Sequence, residues 1–122
     1  MPILIAGPYR SGTNDDPAAL DDNLRFLESV APLIFDAGHI PMIGEWVALP
    51  IMNQVGSIVG DDRSLEILTP TAERLLQHCD AVLRLPGSSA GADNDVIIAN
   101  QLGIPVYTRV EEIPSHRDAG AQ

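Results

Sequence analysis

The segment from residue 80 to residue 95 constrains the fold of this chain more than any other segment. A short apolar run, Ala81 to Leu85, ends in a loop of small residues, Pro86 to Gly91, and a helix with an acidic start follows. A loop of Gly, Ser and Ala lets backbone N–H groups come close to a ligand, and a helix start adds unpaired amides and the positive end of the helix dipole. The segment therefore predicts a strand, a loop and a helix that together form a ligand site.

The acidic start of that helix has two interpretations. Asp93 and Asp95 would repel a phosphate bound directly at the helix N-terminus. Either they stabilise the helix dipole, by roughly 0.3–1 kcal/mol each, or they face another part of the ligand. Carboxylates with perturbed pKa values cluster where loops meet clefts, so a catalytic role for these two is a hypothesis beside helix capping.

Length and charge limit the classes of function. A chain of 122 residues that is 45% hydrophobic and 20% charged is typical of one globular domain. A net charge of −10 argues against binding to polymeric nucleic acid or to an anionic membrane, since both need a basic face. A small nucleotide is not excluded, because it needs only a local pocket of amides and one or two arginines.

Potential metal ligands are few and far apart. Cys79 has no second cysteine to pair with, and the three histidines, at positions 39, 78 and 116, lack metal-ligand spacing. We therefore expect no metal and no cofactor, and we expect His39 to be a hydrogen-bonded residue near a helix end. The first ten residues lack the basic start of a signal peptide, and no segment has the roughly 18 apolar residues of a membrane span, so a cytoplasmic protein is expected.

Apolar runs elsewhere predict three more strands. They cover Ile3 to Ala6, His39 to Ile43 and Ile104 to Tyr107. Alternation of strands and helices is typical of a parallel sheet covered on both faces. We therefore predict an α/β fold, a three-layer doubly wound parallel sheet of four to five strands of the flavodoxin or Rossmann-like type. It forms a single domain over residues 1–122, with a tail that frays from about residue 114.

Prolines interrupt the predicted helices. Asp16 before Pro17 predicts a helix start, and apolar residues continue at three- and four-residue spacing to a left-handed cap at Gly38, with a break near Pro32. The last helix is expected to end at Gly103 and to place four apolar residues on its core face: Val96, Ile97, Ala99 and Leu102.

The middle of the chain has the least regular pattern. It predicts a short helix over residues 47–55 that Pro50 interrupts, a loop over residues 56–63, and a helix over residues 70–78. Glu45 and Trp46 are expected to close the end of the second strand and to line the ligand pocket. The alternative for Trp46 is a packed side chain without a binding role.

The loop after the first strand carries more than turn-forming residues. It includes Tyr9 and Arg10, and a simple connection needs neither an aromatic ring nor a guanidinium group. Open α/β sheets bind ligands at the carboxyl ends of their strands, and right-handed crossovers bring this loop close to the small-residue loop. The candidate binding residues of the two loops are Gly7, Tyr9, Arg10, Ser88, Ser89 and Gly91.

The residue types favour chemistry on a sugar over other reactions. No serine lies in a nucleophile-elbow pattern and no P-loop lysine follows the glycines, which argues against a serine hydrolase or a phosphoryl transferase. Arginine and serine suit an anion or a sugar hydroxyl. Nearby carboxylates suit attack at an electron-poor sugar carbon.

Three motifs carry a resemblance to a known family. They are Ala-Gly-Pro-Tyr-Arg-Ser-Gly, then Leu-Leu-Gln-His-Cys-Asp-Ala-Val-Leu-Arg-Leu-Pro-Gly, then Ser-Ala-Gly-Ala-Asp-Asn-Asp with Leu-Gly-Ile-Pro-Val-Tyr after it. In this order they resemble the nucleoside 2-deoxyribosyltransferase-like superfamily, which includes deoxynucleoside monophosphate N-glycosidases and small bacterial and phage proteins. The resemblance covers both ends of the chain and not its middle.

The resemblance implies roles for individual residues. In that superfamily a carboxylate four residues after the loop glycine, usually Glu, attacks the anomeric carbon and forms a covalent sugar intermediate; here that position is Asp95. The resemblance further implies phosphate binding by Ser89 and contacts to sugar or phosphate by Tyr9 and Arg10.

The chain departs from the superfamily pattern at two positions. Asp in place of Glu withdraws the nucleophile by about one methylene, and a misplacement on the order of 1 Å can cost about a hundredfold in rate. The superfamily's second acid aligns with Ala72, which leaves Glu73, Asp93 or Glu45 to assist protonation of the leaving base.

Two functions follow from these residues. The first is an enzyme that cleaves or transfers at the N-glycosidic bond of a nucleoside or nucleoside 5′-monophosphate. The second is a non-catalytic module on the same fold that binds or senses nucleotides. Either function takes a small-molecule nucleoside or nucleotide as its partner. The resemblance also implies a homodimer or larger homo-oligomer, with the apolar segment 46–59 as a plausible contact.

Overall fold

Four parallel strands form the central layer of the protein. The computed structural model describes residues 1–115. Its strands are β1 (Pro2–Ala6), β2 (Ile40–Met42), β3 (Ala81–Arg84) and β4 (Val106–Tyr107), in the order β2-β1-β3-β4. All three pairings are parallel. The predicted α/β class with a parallel sheet is confirmed.

Helices connect the strands and cover the sheet. They are α1 (Pro17–Glu28), α2 (Ala31–Asp36), α3 (Gly44–Gln54), α4 (Asp62–Leu76) and α5 (Ala90–Leu102), with a 3₁₀ turn at Val110–Glu112. None of the helices within residues 1–115 is both long enough and apolar enough to span a bilayer. The tail expected to fray falls almost wholly on residues 116–122, outside the described part of the chain.

Both faces of the sheet are buried, as β1 shows. Its side chains alternate between two clusters, so Ile3 and Ile5 pack with Leu27 of α1 and Ile34 of α2. On the opposite face, the second cluster brings the sheet together with α4 and α5; its buried members are Leu4, Ala6, Leu76, Cys79, Val82, Ala92 and Ala99. A continuous apolar run therefore marks a strand that is covered on both sides, which gives the three layers.

The first helical region divides into two helices. Asp16 caps α1 by accepting a hydrogen bond from the Ala19 N–H at 3.1 Å, as its position before Pro17 predicts. The break lies at residues 29–30, just ahead of Pro32, because proline fits the first turn of a new helix and not the interior of an old one. Gly38 follows α2 with a φ of 91°, in the left-handed region that glycine favours.

His39 is hydrogen-bonded near a helix end, as expected. Its side chain is 3% exposed, and its Nε2 lies 2.6 Å from the carbonyl oxygen of Pro114. The N-terminal amine lies 3.3 Å from Nδ1 of the same ring. His39 therefore joins the N-terminal amine and Pro114 to the start of β2.

The prediction for the middle of the chain is wrong in its boundaries. Helix α3 begins at Gly44 and continues through Pro50, so Glu45 and Trp46 lie in its first turn and do not close a strand. Helix α4 begins at Asp62, eight residues before the predicted start, and continues through Pro70. Tertiary packing between α3 and α4 outweighs the hydrogen bond that each proline removes.

A side-chain hydrogen bond at the start of α4 explains why this helix begins earlier than predicted. Asp61 accepts a hydrogen bond from the Ser64 N–H at 2.8 Å, which is a standard N-cap. Its second carboxylate oxygen accepts from the Ile58 N–H at 2.9 Å, so the same side chain also fixes the preceding loop. The connection between α3 and α4 is therefore shorter than predicted.

Helix α5 differs from its prediction on its core face. It starts at Ala90, so Gly91 lies in its first turn and not in the loop. The buried residues are Ala92 and Ala99, whereas Ile97 is 54% exposed and Leu102 is 40% exposed. Small side chains let α5 lie close to the sheet and bring its N-terminus near the end of β1.

Candidate functional site

A cavity of about 280 Å³ lies at the carboxyl edge of the sheet. Its floor is the end of β1, and its walls are the first turn of α3, one face of α4 and the first turns of α5. β1 connects to β2 on one side, while β3 lies on its other side, so the loops after β1 and β3 diverge at this point. Such a switch point is where open α/β sheets bind ligands.

Seven of the eleven candidate residues from the sequence line this cavity. They are Gly7, Tyr9, Arg10, Glu45, Ser89, Gly91 and Asp95. The other four, Trp46, Glu73, Ser88 and Asp93, do not line it. The structure thus brings the two predicted loops together and adds the start of α3 to them.

Asp95 is the most perturbed carboxyl group in the cavity. Burial raises its pKa to about 7, and the nearby carboxyl groups of Glu45 and Glu73 add to this effect. The Arg84 guanidinium acts in the opposite direction and lowers the pKa. At neutral pH the group is therefore divided between its protonated and ionised forms, which suits proton transfer as well as nucleophilic attack.

Glu45 is the second carboxyl group in the cavity. Burial raises its pKa, and a hydrogen bond from its own backbone N–H in the first turn of α3 opposes the rise. It raises the pKa of Asp95, so the two groups interact electrostatically across the cavity. Two interacting carboxyl groups in a partly dry site resist simultaneous ionisation.

Tyr9, in the loop after β1, lines the same cavity as these carboxyl groups. It is 8% exposed, and burial raises the pKa of its hydroxyl, with Glu45 and Asp21 as further contributions. The Asn23 amide donates to the Tyr9 carbonyl oxygen at 2.7 Å and so fixes the loop to α1. The phenol therefore stays protonated at neutral pH and can donate to a ligand.

Ser89 acts as the N-cap of α5. Its hydroxyl accepts a hydrogen bond from the Ala92 N–H at 3.1 Å and donates to the Gly7 carbonyl oxygen at 3.5 Å. It therefore connects the loop after β1 with the loop after β3. Ser88, its neighbour, is exposed.

Asp93 points away from the cavity. Its side chain is 69% exposed and forms an ion pair of 3.0 Å with Arg84. A position in the first turn of α5 favours the helix-capping interpretation over the catalytic one for this residue.

Arg84 is a residue that sequence reasoning did not select. Its side chain is 15% exposed, and it donates to the carbonyl oxygens of Leu85 and Gly87 as well as to Asp93. It therefore stiffens the loop after β3, besides lowering the pKa of Asp95. The feature of the sequence that could have identified Arg84 is its position as the one charged residue in an otherwise apolar strand, β3.

Arg10 has an acidic partner of its own. Its Nε lies 2.8 Å from Oδ1 of Asp15, and its second terminal nitrogen lies 3.0 Å from Oδ2, so the ion pair is bidentate. The hydrogen bond from Arg10 lowers the pKa of Asp15. The guanidinium group lines the cavity, but two of its N–H groups donate hydrogen bonds to Asp15.

Helix α4 contributes a wall that the sequence did not predict. Four of its residues line the cavity: Leu65, Leu68, Thr69 and Ala72. A methyl group placed on Gly44 would lie 3.9 Å from the Cβ of Ala72, so α3 and α4 pack closely beside Glu45. Glu73, the next residue, is exposed and acts on the cavity only through its charge.

Trp46 has a packing role on the outside of the site. Its Nε1 donates to Oε2 of Glu28 at 2.8 Å, and the residue is 36% exposed. This contact joins the first turn of α3 to the end of α1, which helps to hold Glu45 in place.

Within residues 1–115, no three His, Cys, Asp or Glu side chains cluster so as to hold a metal ion. Comparison of the chain with protein-family models, with curated proteins and with solved structures finds no match. The functional conclusion therefore depends on the chemistry of the cavity itself.

Proposed function

We propose that the protein cleaves or transfers at the N-glycosidic bond of a nucleoside or nucleoside 5′-monophosphate. The observation that carries this proposal is the pair of carboxyl groups, Glu45 and Asp95, that line one cavity; burial raises the pKa of both, and the charge of Glu45 raises that of Asp95 further. Glycosidic bonds are commonly cleaved by two carboxyl groups with divided roles, one as nucleophile and one as acid and base. The resemblance of the loop motifs to the nucleoside 2-deoxyribosyltransferase-like superfamily supports the same reaction.

In the proposed reaction, an ionised Asp95 oxygen attacks the anomeric carbon of the sugar. The bond between this carbon and the base nitrogen breaks, and the base leaves with the electron pair and takes a proton from Glu45. The result is a glycosyl ester on Asp95. Glu45, now ionised, removes a proton from a water molecule or from a second base. The deprotonated acceptor attacks the same carbon, the ester bond breaks, and the Asp95 carboxylate is released.

Glu45 replaces the earlier candidates for the assisting acid. Asp93 is exposed and paired with Arg84, and Glu73 is exposed on α4 outside the cavity lining. Glu45 lines the cavity and burial raises its pKa. Since its charge in turn raises the pKa of Asp95, the two carboxyl groups titrate as a pair, and the reactive form of that pair carries the proton on Glu45 and the charge on Asp95.

Release of free base tests this function. The protein is incubated with a panel of nucleosides and their 5′-monophosphates, and free base is followed by chromatography. We expect release by the native protein and a loss of about a hundredfold or more in Asp95→Asn and Glu45→Gln, because general acids contribute about 10²–10⁴-fold and no covalent intermediate forms without the nucleophile. Glu73→Gln is the matched control and should keep most of the activity.

The same panel separates the proposal from the non-catalytic alternative. Ala72, which stands where the resembled superfamily has its second acid, is the observation that favours a binding module. A nucleoside that raises the melting temperature without any release of base would support that alternative. Equal release by native protein and Asp95→Asn would refute the carboxylate mechanism.

A further inference from the structure

The cavity offers a phosphate group little free positive charge. Of the described residues that line it, Arg10 alone is cationic, and its guanidinium is bound to Asp15 through two hydrogen bonds of 2.8 and 3.0 Å. Glu45 and Asp95 add negative charge to the same walls when ionised. A phosphate placed there would meet two carboxyl groups and an arginine whose charge Asp15 already balances.

Two further polar side chains beside the cavity, those of Ser89 and Arg84, are also engaged. The Ser89 hydroxyl caps α5 through Ala92 and donates to Gly7. The guanidinium of Arg84 is held by Asp93 and by the carbonyl oxygens of its own loop.

Asp15 is fixed in the position from which it holds Arg10. Its φ is 58°, in the left-handed region, and its N–H donates to the Thr13 hydroxyl at 3.1 Å. Gly60 lies against its carboxylate so closely that a Cβ on Gly60 would be 2.5 Å from Oδ2. Contacts on two sides of the residue therefore direct the carboxylate toward the guanidinium.

We infer that Asp15 is a specificity-determining residue that makes the cavity select nucleosides over nucleoside 5′-monophosphates. By holding Arg10 in a bidentate ion pair, Asp15 balances the positive charge that a 5′-phosphate would require and occupies two of the N–H donors, while an uncharged sugar hydroxyl needs no such cation. This inference rests on the proposed function, which makes a nucleoside the substrate. It narrows the substrate class to nucleosides without a 5′-phosphate.

Asp15→Asn tests the inference. Asparagine is similar in size and tolerates the left-handed backbone conformation, so the loop keeps its shape while the ion pair is lost. Inorganic phosphate is titrated by calorimetry into the native protein, Asp15→Asn, Asp15→Asn with Arg10→Gln, and Asp22→Asn. Asp22 is an exposed acid on α1, so its substitution makes the same change in net charge away from the cavity.

We expect Asp15→Asn to bind phosphate at least tenfold more tightly than the native protein and Asp22→Asn do, and the double variant to lose this gain. Equal phosphate affinity in the native protein and Asp15→Asn would overturn the inference, as would a gain that persists without Arg10. Phosphate binding requires no bond cleavage, so these results stand even if no nucleoside in the panel releases its base. Where a nucleoside is cleaved, the preference for it over its 5′-monophosphate should fall at least tenfold in Asp15→Asn.

Discussion

At the scale of single residues, Asp95 and Glu45 reduce the stability of the fold when they ionise. Both carboxyl groups are partly buried, and burial is the main reason that each pKa is raised. A raised pKa means that ionisation costs more in the folded protein than in the unfolded chain, so the fold loses stability as the group ionises. Ionisation of these two groups therefore lowers the free energy of unfolding, and packing in the core must offset that loss.

This cost gives a prediction for Asp95→Asn. The pKa of Asp95 lies near 7 in the folded protein and at its ordinary value of 3.8 in the unfolded chain, so its penalty is absent below about pH 4, grows between about pH 4 and pH 7, and is constant above. Asparagine cannot ionise, so the variant should gain stability relative to the native protein by on the order of 3 kcal/mol across that window. Urea unfolding at about pH 4.5 and pH 8 measures the change, with Asp22→Asn as the control. A stability difference that does not depend on pH would contradict the assigned burial of Asp95.

At the scale of elements, the start of α5 shows how one residue both forms the helix and shapes the site. Ser89 caps the helix and bridges to the loop after β1, so the position of Asp95 two turns later depends on it. The sequence identified the loop and the helix, but it could not assign the Ser89 hydroxyl to capping over phosphate binding, because both use the same oxygen.

Ser89→Ala tests this capping role. Loss of an N-cap typically costs about 0.5–2 kcal/mol, so we expect the free energy of unfolding to fall by about 1 kcal/mol. Ser88→Ala is the matched control, since Ser88 is adjacent, exposed and outside the cap, and it should change stability by less than about 0.5 kcal/mol. Equal effects of the two substitutions in chemical denaturation would argue against Ser89 as the cap.

Helices α3 and α4 set the limit of what could be predicted for elements. Each contains a proline that normally ends a helix, yet both continue because they pack together through Ala48, Met52 and Ile67. That packing joins residues distant in sequence, so local patterns could not reveal it. The missed start of α4 is also the reason that one wall of the cavity was not predicted.

At the scale of the whole molecule, the fold was more predictable than the site. Continuous apolar runs such as Ile3 to Ala6 require cover on both faces, which leads directly to a parallel three-layer sheet. That topology then brings the loops after β1 and β3 to one edge, so Tyr9, Ser89 and Asp95 could be grouped in advance. Pairings between charged side chains, such as Arg10 with Asp15, depend on side-chain geometry and could not.

The expected homo-oligomer stays a prediction. Helix α3 and its C-cap leave Val47, Ile51 and Val55 exposed at four-residue spacing, and Ile58 in the next loop is 73% exposed. An apolar row of this kind is compatible with a contact between copies of the chain.

The mass of the intact protein tests the central claim most directly, because the proposed reaction attaches the sugar to the enzyme. The protein is mixed with a nucleoside that it cleaves, quenched in acid within seconds, and analysed by intact-mass spectrometry and peptide mapping. We expect a mass increase of one sugar residue on the peptide that contains Asp95, and no such increase in Asp95→Asn. Release of base without any adduct, or an adduct on Glu45, would contradict the assignment of Asp95 as the nucleophile.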